Sequence, residues 1–489
     1  MKPIRLSQRH LLLSLLLAGL ASSLANAQPG AGPTQEPPEP LRFRYLGPPS
    51  AGRISAVAGI AGNIMTYYAG AASGGVWKTT DGGKTFAPIF DEQPVQAIGA
   101  LAVAPSDSNL VWAGTGEAWV IRPSDVMGDG IYKSVDAGKS WKNMGLVETG
   151  RIGRIIVHPK DPNIVFACAL GRTTGPQEER GVYRTKDGGA SWERVLFVDR
   201  DTGCSGLSMD ANDPDVLIAG TWQVVMRTWV MLSGGAGSGV YRSRDGGTSW
   251  EKLEKGLPRP PVGKIDVAIA PTNGKRVYAL IQTANQGSLW RSDDGGDHWE
   301  VVSWDRTLIG RAGYYIRLGV SSGNENELLV ASSTLHRSND GGRTFTDLRG
   351  GCGDCHDVWF DPLNPDHFLV TGDGGMGITT TDGRSFTTVV LPIGQMYHLA
   401  TDDRIPYWVY SNRQDDGTMR GPSDSPVPVP NVPSYAESGA PRGGRDGGFR
   451  GSGTHNWEEY LGGCESGFTI PDPVDPNVVW ATCYGNEVT

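Results

Sequence analysis

The sequence predicts an all-β chain folded as a β-propeller of four-stranded antiparallel blades. Three observations carry that expectation. An eight-residue turn recurs along the chain, first as Thr79-Thr-Asp-Gly-Gly-Lys-Thr-Phe86 and then with turn aspartates at Asp136, Asp187, Asp245, Asp294 and Asp340. A seventh copy, Thr380-Thr-Asp-Gly-Arg-Ser-Phe386, with Asp382, reads one residue short. Successive aspartates lie 42 to 58 residues apart, the length of one propeller blade. Glycine is the third signal: 69 of 489 residues, about twice the usual ~7%, mark a turn-rich β protein.

Each turn follows a short apolar run such as Val76-Trp77, Ile131-Tyr132 or Leu289-Trp290, so the unit reads as strand, tight turn, strand. The aspartate can accept hydrogen bonds from turn amides and the glycines supply positive φ. The closing Trp or Phe is large and apolar, and its place is between one repeat and the next. One geometry accounts for all seven acids, which makes Asp81, Asp136, Asp187, Asp245, Asp294, Asp340 and Asp382 scaffold rather than catalysts. Upstream of each hairpin lies another apolar pair around a Pro/Asp/Asn turn, as in Ile155-Ile-Val-His-Pro-Lys-Asp-Pro-Asn-Ile-Val-Phe166, completing four strands.

The chain begins with Lys2, Arg5 and Arg9, then apolar Leu11 to Ala21, then Ala25-Asn-Ala27, the pattern of a signal peptide over 1–27. An exported product, periplasmic or extracellular, follows. Residues 28–40 are a Pro-rich linker, 41–396 hold seven blades, and 397–489 hold an irregular eighth blade, a Pro/Gly/Ser-rich insertion and the start of a ninth. A ninth blade of two strands leads us to expect that the chain continues in a longer protein. The net charge of -9 gives no basic footprint for nucleic acid, and no later run of apolar residues is long enough to insert in a membrane.

A four-strand meander sends alternate turns to opposite faces. The Asp turns and the short Pro/Asp turns share one face, while the longer, more varied loops occupy the other, where binding residues are expected. That face carries Glu117, Trp119, Arg122, Asp354, His356, Asp357, Asp373, Gln414, Asp415 and Glu465. Exposed indoles at Trp119, Trp222 and Trp229 would stack on sugars or peptide side chains, with interior packing as the alternative for each.

The Ser/Thr-x-Asp-x-Gly-x-Thr/Ser-Trp/Phe turn resembles the Asp-box, or BNR repeat, of sialidases, xyloglucanase-type glycoside hydrolases, photosystem assembly propellers and sortilin. With Gly114-Thr-Gly-Glu117, Gly353-Asp-Cys-His-Asp357, Gly372-Asp-Gly-Gly375, Gln414-Asp-Asp-Gly417 and Gly463-Cys-Glu-Ser-Gly467, the chain after residue 40 looks like the exported bacterial propellers of the sortilin-like or glycosyl-hydrolase-like group. The resemblance to xyloglucanase-type enzymes implies one catalytic Asp on the first blade and another in a Gly-Asp-Gly-Gly-like loop. Asp373 matches the second, while the first position reads Ala71-Ala-Ser-Gly-Gly75, with no carboxylate. A catalytic pair would join Asp373 to another loop carboxylate, Glu117 or Asp357 foremost. Asp403-Arg-Ile-Pro406 has the tripeptide of sialidases, but it follows the Asp-boxes instead of preceding them.

Cys352-Gly-Asp-Cys355-His356 has the spacing of c-type haem attachment, a reading set against a local disulfide and disfavoured because no haem pocket is evident. No cofactor is expected. Asp354, His356, Asp357, Asp373, Gln414 and Asp415 could together take a hard cation, calcium before zinc, or simply form a polar axial lining. The six cysteines permit bridges, with the pairing of Cys168, Cys204, Cys464 and Cys483 open. The leading expectation is an exported scaffold that binds a polysaccharide or extended peptide on its loop-rich face; the alternatives are a glycoside hydrolase and a cell-envelope assembly factor.

Overall fold

The computed structural model describes residue 46 and residues 52–121, 126–415, 417–425, 457–486 and 488–489. The stretches expected to be a signal peptide and a Pro-rich linker, Arg122 and most of the expected insertion lie outside the described residues. Among those described, secondary structure is β-strand with three short 3-10 turns.

Seven consecutive four-stranded meanders follow one another from Ile54 to Val389, the fourth widened by an extra strand, Val230–Ser233, paired to Leu217–Arg227. The first strand of each meander is its innermost: Ile54–Ile60, Ile98–Ala104, Ile152–Val157, Thr202–Met209, Ile265–Ala270, Arg317–Val320 and Cys355–Asp361. These strands pack each against the next, and the seventh packs back on the first, so the ring closes at seven blades. The closure is apolar: Ile54, Val57, Tyr67, Trp77 and Phe86 of the first blade share a buried cluster with Leu369, Met376, Ile378 and Val389 of the seventh. A polar clasp sits beside it, where Tyr67 Oη lies 3.0 Å from His367 Nε2 and His367 Nδ1 lies 2.9 Å from Asp361.

The Asp turns owe their sequence to one repeated network. In the first, Asp81 Oδ1 accepts from Thr79 Oγ1 at 2.8 Å and Thr85 N at 2.9 Å, Oδ2 accepts from Thr85 Oγ1 at 2.6 Å, and Gly83 N donates to Thr79 Oγ1 at 3.1 Å. The same bonds surround Asp136, Asp187, Asp245 and Asp340, and most of them Asp294. Hydrogen bonds from Ser140 hold the Asp136 carboxyl down to about 2. Each turn also donates an amide to the neighbouring Pro/Asp-type turn of its own blade, as Gly82 to Met65 O and Gly188 to Asn163 O do. The closing aromatics bridge blades: Trp141 Nε1 reaches Ile89 O at 2.7 Å and Trp192 Nε1 reaches Met144 O at 2.8 Å.

The seventh turn corrects the sequence alignment. Thr381, not Asp382, takes the aspartate's place, accepting from Ser385 N at 3.1 Å, while Thr379 Oγ1 accepts from Gly383 N at 3.1 Å. The copy is therefore full length, Thr379 to Phe386. Asp382 stands where the first glycine belongs, at φ 56°, and pairs with Arg337 of the sixth blade.

Beyond the ring, Met396–Thr401, Trp408–Arg413, Gly417–Pro422 and Glu458–Glu459 form an eighth four-stranded sheet, its last strand supplied from beyond the insertion. Thr469–Pro471 and Val479–Ala481 pair as the ninth. No helix among the described residues is long and apolar enough to cross a membrane.

Candidate functional site

The loop-rich face carries a buried ionic hub at the ring axis, and its centre is a residue that precedes every repeat. Arg53 leads into the innermost strand of the first blade. Its Nε donates to Asp373 Oδ1 at 2.8 Å, its Nη1 to Gln395 at 3.0 Å, and its Nη2 to Asp415 Oδ2 at 3.1 Å and Asp373 Oδ2 at 3.5 Å. Gln395 leads into the eighth blade and Asp415 lies in the turn between that blade's second and third strands, so one guanidinium ties the ring to the segment after it. The guanidinium lies 5.7 Å from the Trp119 ring and 5.3 Å from that of Tyr314, close enough for cation–π attraction.

Asp373, the sequence's foremost catalytic candidate, is buried and fully engaged. Besides Arg53, Tyr314 Oη contacts its oxygens at 2.7 and 2.9 Å, and His356 Nε2 lies 2.6 Å from Oδ1. Burial disfavours its charge, but the hydrogen bond from His356 and the Arg53 guanidinium outweigh that and hold the carboxyl well below the usual range. Burial pushes the His356 imidazole down, against the pull of the Asp373 charge that its Nε2 faces. His356 stacks on Trp119 with centroids 4.4 Å apart. These side chains hold Asp373 as a fixed, buried anion.

Asp415 is the opposite case. Its side chain is 30% exposed and its backbone sits at φ 65°, in the left-handed region. Burial first, and then the charge of Asp373, push its carboxyl up to about 7. Two carboxyl groups thus share one guanidinium nitrogen while their environments drive their protonation apart, the arrangement that assigns acid and base roles. Gln414 Nε2 donates to Asp415 Oδ1 at 2.9 Å, and the Asp415 amide donates to Glu465 Oε2 at 3.2 Å. The structure brings Gln414, Asp415 and Glu465 together.

The other predicted residues are placed elsewhere. Asp357 lies deeper on the axis, accepting from Val57 N at 3.2 Å and pairing with Arg154 at 3.2 Å and Arg317 at 3.6 Å. It cross-links inner strands of the first, third, sixth and seventh blades and is buried there. Asp357→Ala should cost ~3 to 5 kcal/mol, read as a lower urea midpoint, because the buried Arg317 and the half-buried Arg154 lose their shared partner. Glu117 is buried too; its Oε2 accepts from Val126 N at 3.1 Å, closing the loop between the second and third strands of its blade. Asp354, at φ 46°, lies 3.9 Å from Arg311 at the rim.

The expectation of three exposed indoles is corrected as well. Trp119 and Trp222 are buried, the first in the aromatic cluster with Tyr314 and Tyr315 and the second hydrogen-bonded through Nε1 to Ser233; Trp229 alone faces solvent. Cys352 and Cys355 are bonded to each other, so neither sulfur is free for a haem thioether. Cys168–Cys204 and Cys464–Cys483 complete the pairing. No group of three or more His, Cys, Asp or Glu among the described residues is arranged to hold a metal ion; the axial acids are instead met by arginines. Sequence reasoning missed Arg53, Tyr314, Gln395, Tyr397 and Tyr484. The signal for Arg53 was its position, immediately ahead of the first innermost strand and hence on the loop-rich face.

No protein-family model matches the chain. Curated relatives include a xyloglucanase of Paenibacillus sp, 25% identical over 378 residues, which are 68% of this chain and 35% of the relative. A xyloglucanase of Hypocrea jecorina is 27% identical over 220 residues, 39% of this chain and 24% of the relative. The chain thus spans about a third or less of the length of these relatives. Among solved structures, a GH74 xyloglucanase from Xanthomonas campestris aligns with TM-score 0.56 at 17% identity, covering 78% of this chain and 60% of the other. An ancestral GH74 enzyme aligns with TM-score 0.53 at 16% identity, covering 76% and 53%. These two show a shared propeller fold, and the relatives place the chain's likeness with glycan-acting propellers.

Proposed function

We propose that this chain belongs to a glycoside hydrolase acting on a neutral polysaccharide of the xyloglucan type, with Asp415 as the proton donor. The observation that carries this reading is the pairing of Asp415 with Asp373 across Arg53: one carboxyl is held ionised and buried, the other is kept protonated near neutrality and partly open to solvent. The hydrolase takes precedence over the binding scaffold because the curated relatives are xyloglucanases.

Asp415 gives its proton to the glycosidic oxygen as the bond from that oxygen to the anomeric carbon breaks. Water supplies hydroxide to that carbon, and its remaining proton passes to a carboxylate, for which Glu465, half-buried beside Asp415, is the candidate. Asp373 touches no substrate in this scheme. It acts through Asp415, as the fixed negative charge that keeps the donor protonated. Export to the periplasm or beyond, where such polysaccharides are met, is part of the proposal and rests on the 1–27 pattern.

The test is reducing-end release from xyloglucan and a panel of other neutral and acidic polysaccharides, with Asp415→Asn and Glu465→Gln alongside. Release that disappears with Asp415→Asn supports the reading. Release from none of the panel, with polysaccharide binding retained, would return the protein to the scaffold class.

A further inference from the structure

Asp415 lies at the middle of a hydrogen-bonded chain that ends, on both sides, in an exposed tyrosine. Tyr397 Oη donates to Gln414 Oε1, whose Nε2 donates to Asp415 Oδ1 at 2.9 Å; on the other side the Asp415 amide donates to Glu465 Oε2 at 3.2 Å and Tyr484 Oη donates to Glu465 Oε1. Both phenol oxygens are tied inward, yet the residues are 36% and 60% exposed. A tyrosine held by its hydroxyl while exposed to this degree presents its ring to solvent, an arrangement that costs apolar exposure unless something covers it.

The backbone under the two rings is braced. Tyr397 lies in the strand Met396–Thr401, whose Met396 pairs in register with Arg413, the residue before Gln414. Tyr484 follows Cys483, and Glu465 follows Cys464; the Cys464–Cys483 disulfide therefore fixes Tyr484 beside the carboxylate it bonds. Rings fixed in advance lose little conformational freedom when a ligand lands on them.

Resting on the hydrolase reading of Asp415, we infer that Tyr397 and Tyr484 are paired stacking platforms for two pyranose rings of a neutral, linear polysaccharide laid across Asp415. A pyranose with equatorial hydroxyls offers a C–H face that matches an aromatic ring, and its hydroxyls can meet Gln414 and Glu465. The local charge selects the class. Asp373 and Asp415 both contact the Arg53 guanidinium and Glu465 accepts from the Asp415 amide, so a polyuronate or sulfated chain would bring anions to a site already lined by three acidic side chains.

The experiment is calorimetric titration of the full chain carrying Asp415→Asn, which slows turnover, with hydroxyethylcellulose as the neutral probe and polygalacturonate as the acidic one. Adding Tyr397→Ala or Tyr484→Ala should weaken binding of the neutral probe about five- to tenfold each, whereas Tyr397→Phe and Tyr484→Phe should stay within about threefold. Polygalacturonate should bind at least tenfold more weakly than the neutral probe at low salt. Alanine variants that keep the parent circular dichroism spectrum and bind as tightly as the parent would overturn the inference, as would equal binding of polygalacturonate or no binding of hydroxyethylcellulose. Its failure is separable from that of the hydrolase reading. Tyrosine-dependent binding without reducing-end release removes only the enzyme, and Asp415-dependent release without tyrosine dependence removes only the platforms.

Discussion

Asp415→Asn should reduce reducing-end release by ~10²- to 10⁴-fold, the contribution of a positioned proton donor. The amide keeps the hydrogen-bond acceptor for Gln414 and the contour of the loop, but carries no proton to give. In the unsubstituted protein, release should fall as pH rises through about 7, where the Asp415 carboxyl loses its proton. Glu465→Gln should leave that alkaline limb in place while lowering the rate, which distinguishes the two carboxyl groups.

The same substitution has a stability signature of definite sign. Burial and the Asp373 charge raise the folded-state pKa of Asp415 above its unfolded value of about 3.9. Its contribution to stability is therefore fully present below the unfolded pKa and is lost as pH rises to the folded one. Urea unfolding of the parent and of Asp415→Asn should agree near pH 4, diverge between pH 4 and 7, and differ by a constant amount above pH 7, with the variant more stable. Partial exposure of the side chain limits the difference to about 1 to 2 kcal/mol. A variant that is less stable at pH 8 would show that the Arg53 pairing outweighs the burial of the charge.

Arg53→Leu should be the more damaging change to the fold, at ~3 to 5 kcal/mol, because it strands the Asp373 carboxylate in an interior that pairs it with that guanidinium. Since the folded pKa of Asp373 is depressed, the stability it confers is present above the ordinary carboxylate range and is lost as pH falls. Arg53→Leu should shrink that acid dependence. Combining it with Asp373→Asn should cost less than the two single changes added together, the non-additivity expected of residues that share one buried network. The substitution also removes the links to Gln395 and Asp415, so limited proteolysis should cut between the seventh and eighth blades faster than in the parent.

The blades were legible because the information specifying them is local. Each Asp turn bonds to residues within four positions of itself, so the aspartate, hydroxyl and glycine must recur together wherever the hairpin recurs. The seventh copy shows the limit of such reading. An aspartate beside a glycine reads as the motif's acid, but Thr381 fills the network, its hydroxyl reaching Ser385, and Asp382 pairs across blades with Arg337.

Sorting loops by face likewise needed only the alternation of a meander, and it correctly collected Asp373, Asp415 and His356. It could not rank them. Asp373 and Asp415 are both acids in glycine-flanked loops, and nothing in the surrounding residues says that three donors, from the first, sixth and seventh blades, converge on one and that solvent reaches the other. Trp119 offers the same lesson: an indole in a long loop is exposed or buried according to what lies over it, here the His356 ring from five blades on.

The sequence by itself determined the all-β class, the four-strand unit, its repetition and the face on which chemistry could be sought, since turn chemistry and strand alternation act over a few residues. Only the tertiary structure decided that the ring closes at seven, where Ile54 and Trp77 meet Leu369 and Ile378, and that Arg53 binds acids 320 and 362 residues away. Those decisions rest on burial and on charges brought together by closure, which are properties of the assembled ring that no stretch of the chain carries alone.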